Sequence, residues 1–168
     1  MNKVINTIAA IFALTLMATP ALSGESKAPV VAVQPVDSSF GLTAKLFAVS
    51  VIEDTDNIVY GGGLSLEVPI FDSLSLEVGG SIFEDEVYAI NANALYYFDV
   101  ADNLSLYVVG GGSYDIESEA FFVGGGAGVK YALSKQLSLF SDGIYNWNTD
   151  EDYDSGVVTV RVGVGFSF

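Results

Sequence analysis

The chain has 168 residues with neither cysteine nor histidine, which excludes a disulfide framework and removes the commonest general base and metal ligand at once. Its net charge is −15, yet 51% of its residues are hydrophobic and its mean hydropathy is positive, +0.45. A soluble acidic protein spreads charge over its surface, so these facts agree only if charge is confined to zones, and the acidity disfavours nucleic acid as a partner.

Residues 1–23 read as a secretory signal peptide. Asn2 and Lys3 precede the apolar run Val4 to Met17, and Ala21 and Ser23 stand at the small-residue cleavage positions. The run is too short for a membrane anchor. Residues 24–39, with Pro29 and Pro35 and no periodicity, form an extended leader. Beyond it, no stretch is apolar for the eighteen or so residues a membrane helix needs. A hydrophobic, exported chain without such a helix points to a β-barrel, which satisfies its backbone by closing on itself.

The domain from 40 to 168 divides into eight segments of period two. Strands are expected near 40–52, 58–69, 74–83, 87–98, 104–114, 120–131, 136–147 and 157–168. The connections alternate between acidic loops (53–57, 84–86, 115–119, 148–156) and short turns (70–73, 99–103, 132–135). Ser73-Leu74-Ser75-Leu76, Asn103-Leu104-Ser105-Leu106 and Gln136-Leu137-Ser138-Leu139 each open a strand after a turn, a repeat that fits an up-and-down meander. The predicted fold is all-β, an eight-stranded antiparallel transmembrane barrel. An even count leaves both termini at one end, with the acidic loops at the other.

Alternation assigns the faces. In the last strand Val158, Val160, Val162, Val164, Phe166 and Phe168 share one parity, and Thr159, Arg161, Gly163, Gly165 and Ser167 the other. Lipid-facing candidates elsewhere include Leu74, Leu76, Val78, Ile82, Tyr88, Ile90, Tyr96, Phe98, Leu104, Leu106, Val108, Leu137, Leu139, Tyr145 and Trp147. The opposite parity carries Ser75, Glu77, Ser81, Asn91, Asn93, Ser113, Ser138, Asp142 and Asn146. Parity alone does not say which face is inside, and a soluble ligand-binding barrel would reverse it. The export signal and the aromatics near strand ends, Tyr88, Phe98, Tyr114, Tyr131, Trp147 and Phe168, favour a membrane and its interfacial girdles. In 44–51 and in the glycine runs 61–63, 110–112 and 124–126 parity is ambiguous. Those runs are not phosphate loops, because no strand–loop–helix context or following lysine exists.

The charges sharpen this map. Of 21 acids, 13 lie in the four acidic loops: Glu53, Asp54, Asp56, Glu84, Asp85, Glu86, Asp115, Glu117, Glu119, Asp150, Glu151, Asp152 and Asp154. Only Lys45, Glu67, Glu77, Lys130, Asp142 and Arg161 fall within strands, three of each sign. A charge facing lipid costs about 2–4 kcal/mol at mid-depth, so all six are expected inside, paired in a network with Arg161 central and flanked by Glu67 and Glu77. The alternative is a looser, hydrated lumen. Phe83, Tyr97, Tyr107 and Phe140 share the inward parity, so a plugged core is expected over an open channel, with glycines making room for rings.

Little chemistry is on offer. Glu84 and Glu86 lie on a loop without a pocket, and no enzyme is expected. Asp150, Asp152 and Asp154 resemble a calcium loop superficially but lack its central glycine and closing glutamate. They are weak divalent-cation candidates, with a solvated acidic loop as the default. No cofactor is expected.

On the terminal VRVGVGFSF, the alternation and the balanced strand charges, residues 40–168 resemble the small eight-stranded outer-membrane proteins of the OmpA transmembrane-domain and OmpX type. The resemblance implies a Gram-negative outer membrane, both termini periplasmic, and acidic loops outside. It implies lipid and lipopolysaccharide surroundings and a monomer. It also implies that Val164, Phe166 and Phe168 act as a signal to the barrel-assembly machinery, after delivery by periplasmic chaperones. Enzymatic barrels of this kind rely on histidine, which is absent. The expected role is structural or surface-interacting. A small cation-preferring pore is the alternative, and a secreted soluble ligand-binding barrel a second one.

Overall fold

In the computed structural model, residues 41–54, 57–149 and 156–168 are described. The expected signal and leader segments, and the cation candidates Asp150, Asp152 and Asp154, lie outside them. The strands are β1 (Thr43–Asp54), β2 (Asn57–Phe71), β3 (Leu74–Phe83), β4 (Tyr88–Ala101), β5 (Leu104–Asp115), β6 (Phe121–Ala132), β7 (Leu137–Asn148) and β8 (Val157–Ser167). They form a closed barrel in sequence order, every neighbour antiparallel. One 3₁₀ turn, Glu84–Glu86, joins β3 to β4.

Closure runs from Thr43 opposite Ser167 to Ile52 opposite Val158, and the Phe168 amide donates to the Leu42 carbonyl at 2.9 Å. No strand edge is left open, which a membrane requires because lipid offers backbone groups no partner. The turns after β2, β4 and β6 share one end with the start of β1 and the end of β8, hereafter the turn end. The connections after β1, β3, β5 and β7 share the loop end.

The predicted strands match closely, with β1 shifted to Thr43–Asp54 and β2 starting at Asn57, and with two further differences. β2 continues to Phe71 and β4 to Ala101, so the expected turn at 99–103 contracts to Asp102 and Asn103. In both cases the register shifts, between Pro69 and Phe71 and between Asp99 and Ala101. An extra residue at a bulge lets the chain stay in the ladder past a proline, which cannot donate to it.

The faces are inverted relative to a water-soluble protein. Leu46, Leu64, Leu66, Leu76, Val78, Ile82, Ile90, Leu106 and Val108 are exposed, Leu64 at 64%, while Glu77 and Asp142 are wholly buried. Exposed apolar surface on this scale needs an apolar surrounding. Exposed aromatics gather at two levels. Tyr60, Tyr88, Phe121, Tyr145 and Trp147 lie toward the loop end, and Phe71, Tyr96, Phe98, Phe166 and Phe168 toward the turn end. Edge-to-face pairs occur in both girdles, Tyr145 with Trp147 at 4.7 Å and Tyr96 with Phe98 at 4.9 Å. A soluble ligand-binding barrel needs the opposite polarity, so that expectation is overturned.

The inward parity of β1, ambiguous from sequence, is Thr43, Lys45, Phe47 and Val49, all buried. The glycine runs divide by face. None of the described glycines has a positive φ, so the backbone does not demand them. Space does, chiefly on the inside, although a Cβ on outward Gly112 would meet the Phe121 ring at 2.9 Å. A Cβ on Gly128 would strike the Tyr107 ring, and one on Gly63 the Phe47 ring at 2.6 Å. Outward-facing Gly110 and Gly125 have nothing nearer than 3.9 and 3.7 Å.

Candidate functional site: the filled lumen

Glu53, Asp54, Asp99 and Asp115 also fall within strands, at their ends, so the expectation of only six strand charges is corrected; the six expected inside converge on one buried chain. Arg161, on β8, grips Asp142 of its neighbour β7 through two parallel hydrogen bonds, Nε to Oδ1 and Nη2 to Oδ2, each 2.8 Å. These two residues face each other directly in the ladder, so the pairing register itself creates the fork. The other arm of the guanidinium, Nη1, crosses the lumen to Glu77 Oε1 on β3 at 2.6 Å. Lys45 Nζ on β1 then bridges Glu77 Oε2 at 2.6 Å and Glu67 Oε2 of β2 at 2.7 Å. Lys130 on β6 reaches Glu67 Oε1 at 3.9 Å, the longest contact and the only one with an appreciably exposed side chain.

The order is therefore Asp142, Arg161, Glu77, Lys45, Glu67, Lys130, with sign alternating at each step and a net charge of zero. This corrects the expected arrangement. Arg161 does not touch Glu67, and the middle of the chain is the Glu77–Lys45 pair. A lysine on β1 beside two carboxylates on β2 and β3 captures both, because those glutamates are cross-strand partners whose like charges need a cation between them.

Neutral groups complete the carboxylates. Tyr107 donates to Asp142 Oδ2 at 2.7 Å, Tyr97 to Glu67 Oε2 at 3.0 Å, and the Asn93 amide to Glu77 Oε1 at 3.3 Å. Aromatic rings cover the cations: Lys45 lies 4.9 Å from the Phe140 centroid, Lys130 5.1 Å from Tyr97, and Arg161 5.3 Å from Phe47. Phe47 meets Phe140 edge-on, and Tyr97 leans on Tyr107. Inward Phe83, Tyr97, Tyr107 and Phe140 were legible by parity. Phe47 and Leu95 were missed. Lys45, an obligatory inward charge two residues before Phe47, was the signal that places it inside.

The plug occupies the middle of the barrel and its turn end. Toward the loop end the lumen opens into a cavity of about 260 Å³ whose lining includes Arg161 and Asn93 below and Glu53 and Asp115 at the mouth. Among the described residues no cluster of acidic side chains is arranged to hold a metal ion.

No protein-family model matches the chain, and no curated protein sequence matches it. Solved structures do. The N-terminal β-barrel domain of Pseudomonas aeruginosa OprF is similar at 20% identity and a TM-score of 0.61, over 77% of this chain and 98% of that one. Neisserial surface protein A is similar at 16% identity and 0.56, over 77% and 97%. A de novo designed transmembrane β-barrel is similar at 23% identity and 0.56, over 75% and 95%. The fold is that of the small eight-stranded outer-membrane barrels, natural and designed alike.

Proposed function

We propose that this chain is an integral outer-membrane protein whose lumen is closed by its ionic plug, and that it serves a structural or surface-interacting role. In this reading the termini and short turns face the periplasm and the acidic loops face outside. The observation that carries it is the unbroken salt-bridge chain from Asp142 to Lys130, each carboxylate held by at least one cation and one neutral donor. A hydrated pore would leave such groups solvated and apart. Two aromatic girdles enclosing an aliphatic belt support the membrane address. Val164 and Phe166 on the outward face of β8, with Phe168 just past its end, serve as the assembly signal, and the protein is a monomer in lipid and lipopolysaccharide. No catalytic role belongs to this reading.

A specific observation favours a second reading, a narrow cation-preferring pore. The acidic loops would concentrate cations at one mouth, where Glu53 and Asp115 line the cavity. Planar-bilayer recording separates the two. The plugged barrel gives no steady current, and a stable cation-selective conductance would overturn it. Fractionation with a heat-shift gel tests the address: the folded chain is expected in outer membranes and to change mobility on boiling.

A further inference from the structure

The hollow above the plug is built, not left over. Facing it is a row of inward positions across four strands: Asn93 on β4, Gly111 on β5, Gly124 on β6 and Asn146 on β7, each opposite the next in the ladder. The two glycines let the flanking amides lie flat against the wall. A Cβ on Gly111 would clash with the Ala92 carbonyl and the Asn93 side-chain oxygen, and one on Gly124 with the Asn146 side-chain oxygen. A larger residue at either glycine would have to displace the neighbouring backbone or the amide beside it. The result is a cup of about 260 Å³, just under the roughly 300 Å³ at which pockets for drug-sized ligands begin.

Its walls are of two kinds. Val49, Val51, Val59 and Phe83, from β1 to β3, make an apolar side, with the Phe122 ring opposite near the mouth. Ser81, Asn91, Ser113, Asn146 and Thr159 supply hydroxyls and amides. Several of these have unused hydrogen-bonding capacity. Asn91 and Ser113 are direct cross-strand partners, yet among the described residues neither the Ser113 hydroxyl nor the Asn91 amide nitrogen has a hydrogen-bond partner. The Ser81 hydroxyl is likewise unpartnered there, and Thr159 accepts from Asn146 at 2.9 Å, leaving its own proton to donate. At the floor, Arg161 is already neutralised by Asp142 and Glu77. The site thus offers a neutral floor, an apolar face with the Phe83 ring on one side, and on the other uncharged donors and acceptors mixed with Phe122, Ala89, Ile144 and Val157. Carboxylates at the mouth repel anions.

We infer that this cup binds a neutral, polyhydroxylated molecule of monosaccharide size, with its apolar ring face toward Val51 and Phe83 and its hydroxyls toward Asn91 and Ser113, while Thr159, beside Val51 in the ladder, meets its edge. A sugar hydroxyl both donates and accepts, which matches a wall of mixed amides and hydroxyls. A ring with one less polar face matches a wall of valines and a phenylalanine. This inference goes beyond the plugged-barrel reading and shares with it only the closed floor.

The test is side-chain amide NMR of the full folded chain in detergent micelles, titrated with methyl β-D-glucopyranoside. Saturable shifts of the Asn91, Asn93 and Asn146 amides are expected, with a Kd on the order of 1 mM for so small a ligand. Asn91→Leu and Ser113→Val should each weaken binding about tenfold while leaving the heat-shift of the folded barrel unchanged. Glucose 6-phosphate should bind at least about tenfold more weakly than the neutral sugar, since its charge meets the acidic mouth. The inference is overturned if the neutral sugar gives no saturable shifts, if shifts arise only outside the cup, or if tetramethylammonium or the phosphorylated sugar binds more tightly. Failure here is separable from failure of the plug, which conductance reports independently.

Discussion

Replacing Arg161 by methionine probes the plug most directly. Methionine keeps much of the aliphatic volume but removes the guanidinium, so Asp142 loses both arms of its fork and Glu77 loses its 2.6 Å contact. The two carboxylates do not suffer equally. Glu77 keeps Lys45 and Asn93, whereas Asp142, with no exposed surface, keeps only the Tyr107 hydroxyl. Breaking a buried pair by removing one partner costs about 3–5 kcal/mol, and that range is expected for Arg161→Met, most of it from the stranded Asp142. Adding Asp142→Asn restores neutrality and leaves an amide that still accepts from Tyr107, so the double variant should regain roughly half the loss, about 2 kcal/mol. Lys130→Met supplies the contrast: its contact is 3.9 Å and its side chain is 24% exposed, so about 1 kcal/mol or less is expected. Urea unfolding of the refolded chain in phospholipid vesicles, followed by fluorescence, measures all three. The reasoning is refuted if Arg161→Met unfolds at the parent midpoint, or if Lys130→Met costs as much as Arg161→Met.

Other expectations follow from the same geometry. Gly128→Ala places a methyl against the Tyr107 ring and should destabilise by about 1–3 kcal/mol, while Gly125→Ala, facing outward with open space, should be near neutral; paired unfolding midpoints decide it. Val78→Arg puts a charge on the exposed belt and should cost about 2–4 kcal/mol in vesicles if it lies near mid-depth, with little effect expected from Ile116→Arg in the loop after β5. Trp147 is the single tryptophan and sits in the loop-end girdle, so its emission should be quenched more by lipids brominated near the headgroup than by those brominated at the chain ends. Equal quenching at both depths would contradict the girdle.

Most of the architecture was readable because a barrel writes its two faces into a period of two. Strand limits could be placed where aliphatics alternate with serine, asparagine and glycine, as in Leu74 to Ile82. Reading was weakest where both faces carry small residues. In Gly110-Gly111-Gly112 alternation vanishes, although the middle glycine faces the lumen under Asn93 and its neighbours face lipid. Composition identified the six plug residues, since a charge in a lipid-embedded strand has only one place to go. Their connectivity was not legible. Which cation meets which carboxylate depends on barrel stagger and on reach across the lumen, and the Lys45–Glu77 contact joins strands that are not neighbours. The cup escaped notice for a similar reason, because its walls are assembled from strands far apart in sequence.

The plug also bears on how the barrel finds its register. Every strand contributes to it: Lys45 from β1, Glu67 from β2, Glu77 from β3, Asn93 and Tyr97 from β4, Tyr107 from β5, Lys130 from β6, Asp142 from β7 and Arg161 from β8. Backbone ladders fix only neighbours, and a slip of one residue preserves most ladder bonds while turning a whole strand inside out. Such a slip in β8 would turn Arg161 toward lipid and aim Val160 or Val162 at Asp142. A slip in β1 would strip Glu67 and Glu77 of Lys45 together. The penalty for each error is therefore a lipid-facing charge plus an orphaned carboxylate in the lumen, both larger than the few hydrogen bonds a slipped ladder loses. The alternating charges thus make wrong registers costly, whatever they add to the stability of the right one.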